Sequence, residues 1–278
     1  MGEPRLSTRS VLVTGASSGI GLVTAQVFAQ AGWRVFGTSR SPRPDRPGIE
    51  MLKLDVRSDE SAAAAVASVL ERARQIDVLV NNAGIAHTGM AEETTMDQAR
   101  EVFETNVLGA GRLASAVLPH MRSRGQGRII NIGSAAAWVG EPGEAYYAAS
   151  KSALAGFSEA LRHEVGPLGI HVSLVEPGAF TTNVLQAASA STARIADYDG
   201  IREATSRTLH RSLQHGGDPR KVAELVLAVA RARSPRRRYP VGWEARWLPY
   251  LKVLLPQRAF DFLVRRGYGL HKLSAPAR

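Results

Sequence analysis

A chain of 278 residues with 44% hydrophobic and 22% charged side chains suits one large domain with a well-buried core, or two small ones. It has no cysteine, which excludes disulfides, thiolate nucleophiles and cysteine-ligated zinc and accords with a reducing cytoplasm. The net charge of +10 resides in one place: residues 231–278 carry 12 basic and 2 acidic side chains, while residues 1–230 are balanced at 23 of each.

The opening MGEPRLSTRS has no apolar signal core, and no apolar run approaches the ~18 residues that span a bilayer. A soluble, intracellular, cytoplasmic protein is expected. Ser10–Thr14 reads as a strand and leads directly into Gly15-Ala-Ser-Ser-Gly19-Ile-Gly21 and a helix-like LVTAQVFAQAG. Strand, glycine turn and helix together aim backbone N–H groups at a phosphate. Gly15 permits the tight turn, Gly19 lets the backbone approach a pyrophosphate, and Gly21 lets the helix pack close to the strand. The spacing departs from the usual G-x-G-x-x-G, but the context is the right one.

Arg34–Thr38 reads as a second strand, and the residues that end it choose the cofactor. An acid there would accept from a ribose diol and repel a 2′-phosphate. This chain has Ser39-Arg40, and a guanidinium offers planar donors suited to phosphate, with Arg43 and Arg46 nearby to assist. NADP(H) is therefore expected over NAD.

Further strands are expected at Glu50–Leu54, Asp77–Val80, Arg128–Ile132 and Ile170–Glu176. Helices are expected over Ser58–Arg74, over about Thr95–Arg124 with Asn106 in its middle, and over Glu144–Phe157. The strands are apolar on both faces and alternate with helices, the pattern of a parallel sheet covered on both sides. In the last helix Tyr147 and Lys151 lie four residues apart on one face. An ammonium close to a phenol favours the phenolate, which would bring Tyr147 toward a useful proton-transfer range. Tyr146 is out of phase.

The ordered set Thr14-Gly15-x-x-x-Gly19-x-Gly21, Asp55-Val56, Asn81-Asn82-Ala83-Gly84, Asn106, Ser134, Tyr147-x-x-x-Lys151 and Pro177-Gly178-x-x-x-Thr182 resembles the short-chain dehydrogenase/reductases over roughly residues 8–240. Ser134 precedes Tyr147 by the thirteen residues that family shows. The resemblance implies a single α/β domain, a Rossmann-like doubly wound parallel sheet with helices on both faces. A basic, apolar helical extension would follow at 241–278. It implies that Tyr147 is the proton donor in reduction and the acceptor in oxidation, and that Ser134 orients the substrate oxygen. Lys151 would hold the nicotinamide ribose and lower the tyrosine pKa, and Asn106 would hold a water linking Lys151 to solvent. The cofactor contacts it implies are Gly15, Ser17, Ser18, Gly19, Ile20 and Gly21 at the phosphates and Arg40 at the 2′-phosphate. Asp55 and Val56 would meet the adenine, and Asn82, Ala83 and Gly84 would support the crevice. Pro177, Gly178 and Thr182 would meet the carboxamide.

No metal is expected, because the seven histidines lack ligand spacing and neither G-x-S-x-G nor H-E-x-x-H occurs. Nucleic acid is not an expected partner, since the basic residues interleave with apolar ones. Residues 181–217 read as a substrate lid. Residues 239–270 read as two short amphipathic helices split by Pro256, carrying Trp243, Trp247, Phe260 and Phe262. Packing on the domain to close the cleft is the favoured role, with peripheral membrane contact and a subunit interface as the other two. A small hydrophobic ketone, aldehyde or secondary alcohol is the expected substrate, and a homodimer through the helices of Asn106 and Tyr147 the expected assembly. Two other functions compete: a non-catalytic NADP-binding regulator, which would not need the phenol, and a membrane-surface lipid-modifying reductase.

Overall fold

Short runs of β-branched residues form strands and Ala- and Leu-rich runs form helices, as their backbone preferences dictate. The structure, a computed structural model, describes residues 8–41, 43–181 and 189–273. Its strands are β1 (Ser10–Val13), β2 (Arg34–Ser39), β3 (Ile49–Lys53), β4 (Val78–Asn81), β5 (His87–Thr88), β6 (Gly127–Ile132), β7 (Ile170–Pro177), β8 (Ser189–Ala190) and β9 (Arg238–Val241). Seven make one sheet in the order β3-β2-β1-β4-β6-β7-β9, with every neighbouring pair parallel. The order reverses between β1 and β4, which opens a crevice at the carboxyl ends of the strands.

The helices are α1 (Gly19–Gln30), α2 (Asp59–Ala73), α3 (Met96–Phe103), α4 (Gly109–Arg124), α5 (Ala145–Val165), α6 (Asp199–Gln214), α7 (Pro219–Arg231), α8 (Trp243–Leu254) and α9 (Gln257–Gly267). The pleat turns Val11, Val13, Val78, Val80 and Ile130 to one face, against Ala25 and Phe28 of α1 and Val222, Val226 and Val229 of α7. Leu12, Leu79 and Ile129 turn to the other face, against Val66 and Val69 of α2, Leu113 and Val117 of α4 and Leu161 of α5. Both faces are dry, as the continuous apolar strands require. Local signals set the helix starts: the Ser58 hydroxyl accepts from Ser61 N, and Thr95 with Gln98 forms a capping box.

Three elements differ from expectation. The stretch Thr95–Arg124 is interrupted by a π-helical turn, Glu104–Leu108, which contains Asn106. Residues 87–88 pair with 189–190 in a separate two-stranded parallel ribbon. Residues 239–241 are not part of a helical tail: Arg238–Val241 is the seventh strand, paired with β7 from Leu174↔Arg238 to Pro177↔Val241. Pro240 is tolerated there because β9 is an edge strand, whose outward side needs no donor. The pair α8 and α9 follows, divided at Pro256.

Candidate active site

The glycine turn is built for close approach. Gly15 has φ +66°, and a Cβ on Gly21 would sit 2.3 Å from the Asn82 side-chain nitrogen and 2.4 Å from Gly15 O. Gly21 is therefore required by the turn and Asn82, not by helix–strand packing as expected. Asn82 Nδ2 donates to Thr14 O at 2.9 Å, and the Thr14 hydroxyl accepts from Asn82 N and Ala83 N at 2.9 Å each. The loop after β4 is thus sewn to the loop after β1. Helix α1 begins beside it with no side-chain cap and no acid in its first turn, leaving its N–H groups for an anion.

A cavity of about 800 Å³ runs from this turn across the carboxyl edge of the sheet. Of the predicted site residues within the described part of the chain, all except Gly21 and Asn106 line it. Thr182 lies outside the described residues. Arg40 is exposed at one end and makes no hydrogen bond or ion pair with a described residue. Asp55 beside it is held by Arg57, whose guanidinium donates at 2.9 and 3.1 Å and whose N–H donates at 3.0 Å. Those bonds, chiefly the side-chain ones, keep the Asp55 carboxyl below its ordinary range.

Ser134, Tyr147 and Lys151 meet at the other end. Ser134 caps the short turn after β6, accepting from Ala136 N at 3.1 Å, and its hydroxyl is close enough to the Tyr147 phenol to lower that phenol's pKa. Lys151 is buried, with Nζ donating to Ile132 O at 3.0 Å and lying 5.7 Å from the centre of the Tyr147 ring. Burial pulls its pKa down to about 8. Asn106 lies behind Gly84: its Oδ1 accepts from Ile85 N at 2.8 Å, and Nδ2 donates to Ile85 O at 2.9 Å and Ser150 Oγ at 3.0 Å. A Cβ on Gly84 would stand 3.1 Å from Asn106 Oδ1 and 3.6 Å from Lys151 Nζ, so glycine keeps that space open.

The expected lowering of the phenol pKa does not appear in the protein alone. Burial pushes Tyr147 up, with the Ser134 bond opposing and the carboxyls of Glu144 and Glu141 adding to the rise. Desolvation outweighs the lowering influence of Ser134, and the free protein holds a protonated phenol.

Several residues at this end were not foreseen. Glu144 is one turn before Tyr147 and buried; burial raises its carboxyl to about 9, with Glu141 as hydrogen-bonding neighbour. The Tyr268 phenol is pushed up mainly by burial, with the carboxyls of Glu141 and Glu144 adding to the rise. The spacing 144, 147, 151 could have placed Glu144 on the reactive face of the helix, whereas nothing local points to Tyr268. Helix α8 also reaches the site. Gly178 N donates to Val241 O at 2.8 Å just before it, and Lys252 donates to Trp138 O at 2.8 Å. Leu248, Leu251, Phe260, Leu263 and Val264 of α8 and α9, with Leu209 and Leu213 of α6, form an apolar wall. His87 is buried away from this site, bonded to Ser189 Oγ at 2.9 Å and Thr94 Oγ1 at 3.1 Å, a packing role.

The glycine turn, the uncapped helix and the free Arg40 at one end, with Tyr147 and Lys151 at the other, fit an extended dinucleotide in size and charge. Comparison with known proteins agrees. The chain is 34% identical over 269 residues to a 3-ketodihydrosphingosine reductase of Bacteroides thetaiotaomicron, covering 94% of this chain and 98% of that one. It is 35% identical over 272 residues to human 17-beta-hydroxysteroid dehydrogenase type 1, covering 88% and 80%. The crystal structure of a short-chain dehydrogenase from Streptomyces avermitilis superposes with a TM-score of 0.80 at 35% identity, over 97% of this chain and 99% of that one. Residues 9–193 match the family described as short chain dehydrogenase. The chain belongs to the short-chain dehydrogenase/reductase family, the nicotinamide-dependent oxidoreductases of alcohol and keto groups.

Proposed function

We propose that this protein is an NADP(H)-dependent reductase that interconverts a hydrophobic ketone, or aldehyde, with its alcohol. The observation that carries the reading is the lining of this single continuous cavity: a guanidinium at Arg40 with no hydrogen bond or ion pair to a described residue, a phenol–lysine pair at Tyr147 and Lys151, and an apolar wall from α6, α8 and α9. When bound, the nicotinamide cofactor supplies the hydride.

The chain supplies position and a proton. Ser134 Oγ donates to the substrate oxygen and fixes it beside the Tyr147 hydroxyl. Tyr147 hands its phenolic proton to that oxygen in reduction and takes it back in oxidation. Its elevated pKa in the free protein keeps the proton in place until the site is loaded. Lys151, anchored on Ile132 O, holds the ribose hydroxyls and places positive charge near the phenolate as it forms. Asn106, anchored by Ile85 and Ser150, holds the water that returns the proton from solvent.

Arg40 grips a 2′-phosphate, and Arg57 reduces the repulsion from Asp55 by pairing with it. The apolar wall selects a lipophilic substrate, in keeping with relatives named for a sphingoid ketone and a hydroxysteroid. Residues 208–213 of α6 and the helices of the extension line the cavity beside its mouth and shield part of it from water. The expected homodimer would pair α4 and α5 of two copies.

The test is turnover. Oxidation of NADPH and NADH is followed against ketones and aldehydes from small to steroid-sized, with wild type and Tyr147→Phe. NADPH-dependent reduction of the larger ketones, lost in the variant, is expected. Tight NADPH binding with no turnover on any substrate would instead favour a regulator.

A further inference from the structure

Helix α8 uses one side to join the protein. Ala245 is fully buried, Leu248 faces the cavity and Lys252 is tied to Trp138 O. The other side carries Trp243, Trp247, Tyr250 and Leu254, spaced four, three and four residues apart along one helical face, and they are 68, 60, 62 and 77% exposed. Helix α9 buries no residue and adds Phe262 and Leu263. An apolar stripe normally faces a core; here none of the described chain covers it. A contiguous patch of this kind marks an interaction surface.

Charge identifies the partner. Arg246 on α8 and Arg258, Arg265 and Arg266 on α9 are exposed and make no ion pair or hydrogen bond with a described residue. Arg258, Phe262 and Arg266 follow one another at four-residue steps, so cations flank the aromatic ring. Glu244 and Asp261 are the only acids after residue 230. Tryptophan and tyrosine beside arginine suit the boundary between headgroups and acyl chains. A second copy of this chain fits poorly, because twofold pairing of this face would set arginines against arginines. The cavity opens on the same face: Trp243, Leu251 and Leu263 belong both to its wall and to the exposed surface.

We propose that α8 and α9 form a docking face for an anionic phospholipid bilayer. Trp247, Tyr250 and Leu254 enter the interface, the four arginines meet lipid phosphates, and the cavity mouth opens onto the lipid. Docking stands apart from the chemistry; direct capture of a lipophilic substrate from the bilayer rests on the reductase reading.

The experiment is co-sedimentation of the full-length protein with vesicles of phosphatidylcholine alone and with about one-third phosphatidylglycerol, at low and high salt. Wild type is expected to sediment with the anionic vesicles only, and less at high salt. Trp247→Ser with Leu254→Ser, and separately Arg258→Gln with Arg266→Gln, are expected to weaken binding at least about tenfold. None of these four residues lines the cavity, so reduction of a water-soluble ketone without vesicles should match wild type. Failure of wild type to sediment with anionic vesicles, or equal binding by all variants, overturns docking. So does a dimer, measured by light scattering, that dissociates in the Trp247/Leu254 variant, since a second copy would then cover the face. If wild type docks but reduces no ketone, docking stands and the reductase reading fails.

Discussion

The Glu176 carboxylate, 1% exposed at the end of β7, receives both arms of Arg238 from β9 at 2.5 and 2.9 Å. Trp138 Nε1 donates to the same carboxylate at 2.9 Å, and the guanidinium lies 4.0 Å from the centre of the Trp138 ring. This cluster ties the last strand to the loop that follows Ser134, so it holds the base of α8 and the substrate end of the cavity in register. Removing one partner leaves a buried charge uncompensated. Arg238→Ala should cost about 3–5 kcal/mol, read as a lowered denaturation midpoint, while Glu176→Gln with Arg238→Met should recover much of the loss. Equal destabilisation in the single and double variants would show that the pairing is not what matters.

Lys151 illustrates stability given up for a site. Its pKa of about 8 lies below the ~10.4 of a free lysine. Below pH 8 the side chain is charged in both folded and unfolded protein, and the folded form bears the full desolvation cost. As pH rises from 8 past 10.4 the folded form sheds its proton first and the cost disappears. Lys151→Met should therefore abolish turnover yet stabilise the free protein at pH 7 by on the order of 1–3 kcal/mol. That gain should vanish by about pH 10.5, as denaturant titrations across pH would reveal.

Glu144 carries the opposite sign. Its folded pKa of about 9 exceeds the ~4.3 of a free glutamate, so its buried carboxyl favours the folded state at low pH. That contribution is present below about pH 4 and is lost as pH rises to 9. Glu144→Gln should be neutral to stability near pH 4 and stabilising near pH 9, by about 1–2 kcal/mol. A variant less stable than wild type at pH 9 would mean that the carboxylate has a cationic partner there.

Arg40 makes no hydrogen bond or ion pair with a described residue and only a long-range attraction to Asp55, so its removal tests recognition with little disturbance of the fold. Arg40→Ala should raise the KM for NADPH by about 10–100-fold, the worth of a charge-assisted hydrogen bond of roughly 1.5–3 kcal/mol, and leave KM for NADH nearly unchanged. The ratio of the two KM values is the readout. An unchanged ratio would place the phosphate-reading role elsewhere, with Arg43, which also lines the cavity, as the next position to vary.

Much of this protein is readable residue by residue, because its signals are local. The apolar runs at Val11–Val13 and Val78–Val80, the glycines at 15, 19 and 21, and the spacing of Tyr147 and Lys151 all act within one strand, turn or helix. The six strands expected from them form, with ends shifted by a residue or two. Pro256 likewise divides α8 from α9, at the position where the break was expected, although Pro249 inside α8 does not end its helix. Other features depend on partners far apart in the chain. Arg-Tyr-Pro-Val at 238–241 becomes a strand only because β7 offers an open edge and Glu176 a buried charge. The phenol of Tyr147 stays protonated because distant segments remove it from water, a desolvation that helix spacing alone does not encode. The extension was legible as amphipathic, but its division of labour was not. Which side of α8 lines the cavity and which faces solvent is settled by where β9 ends and how Lys252 reaches Trp138, a matter of tertiary geometry.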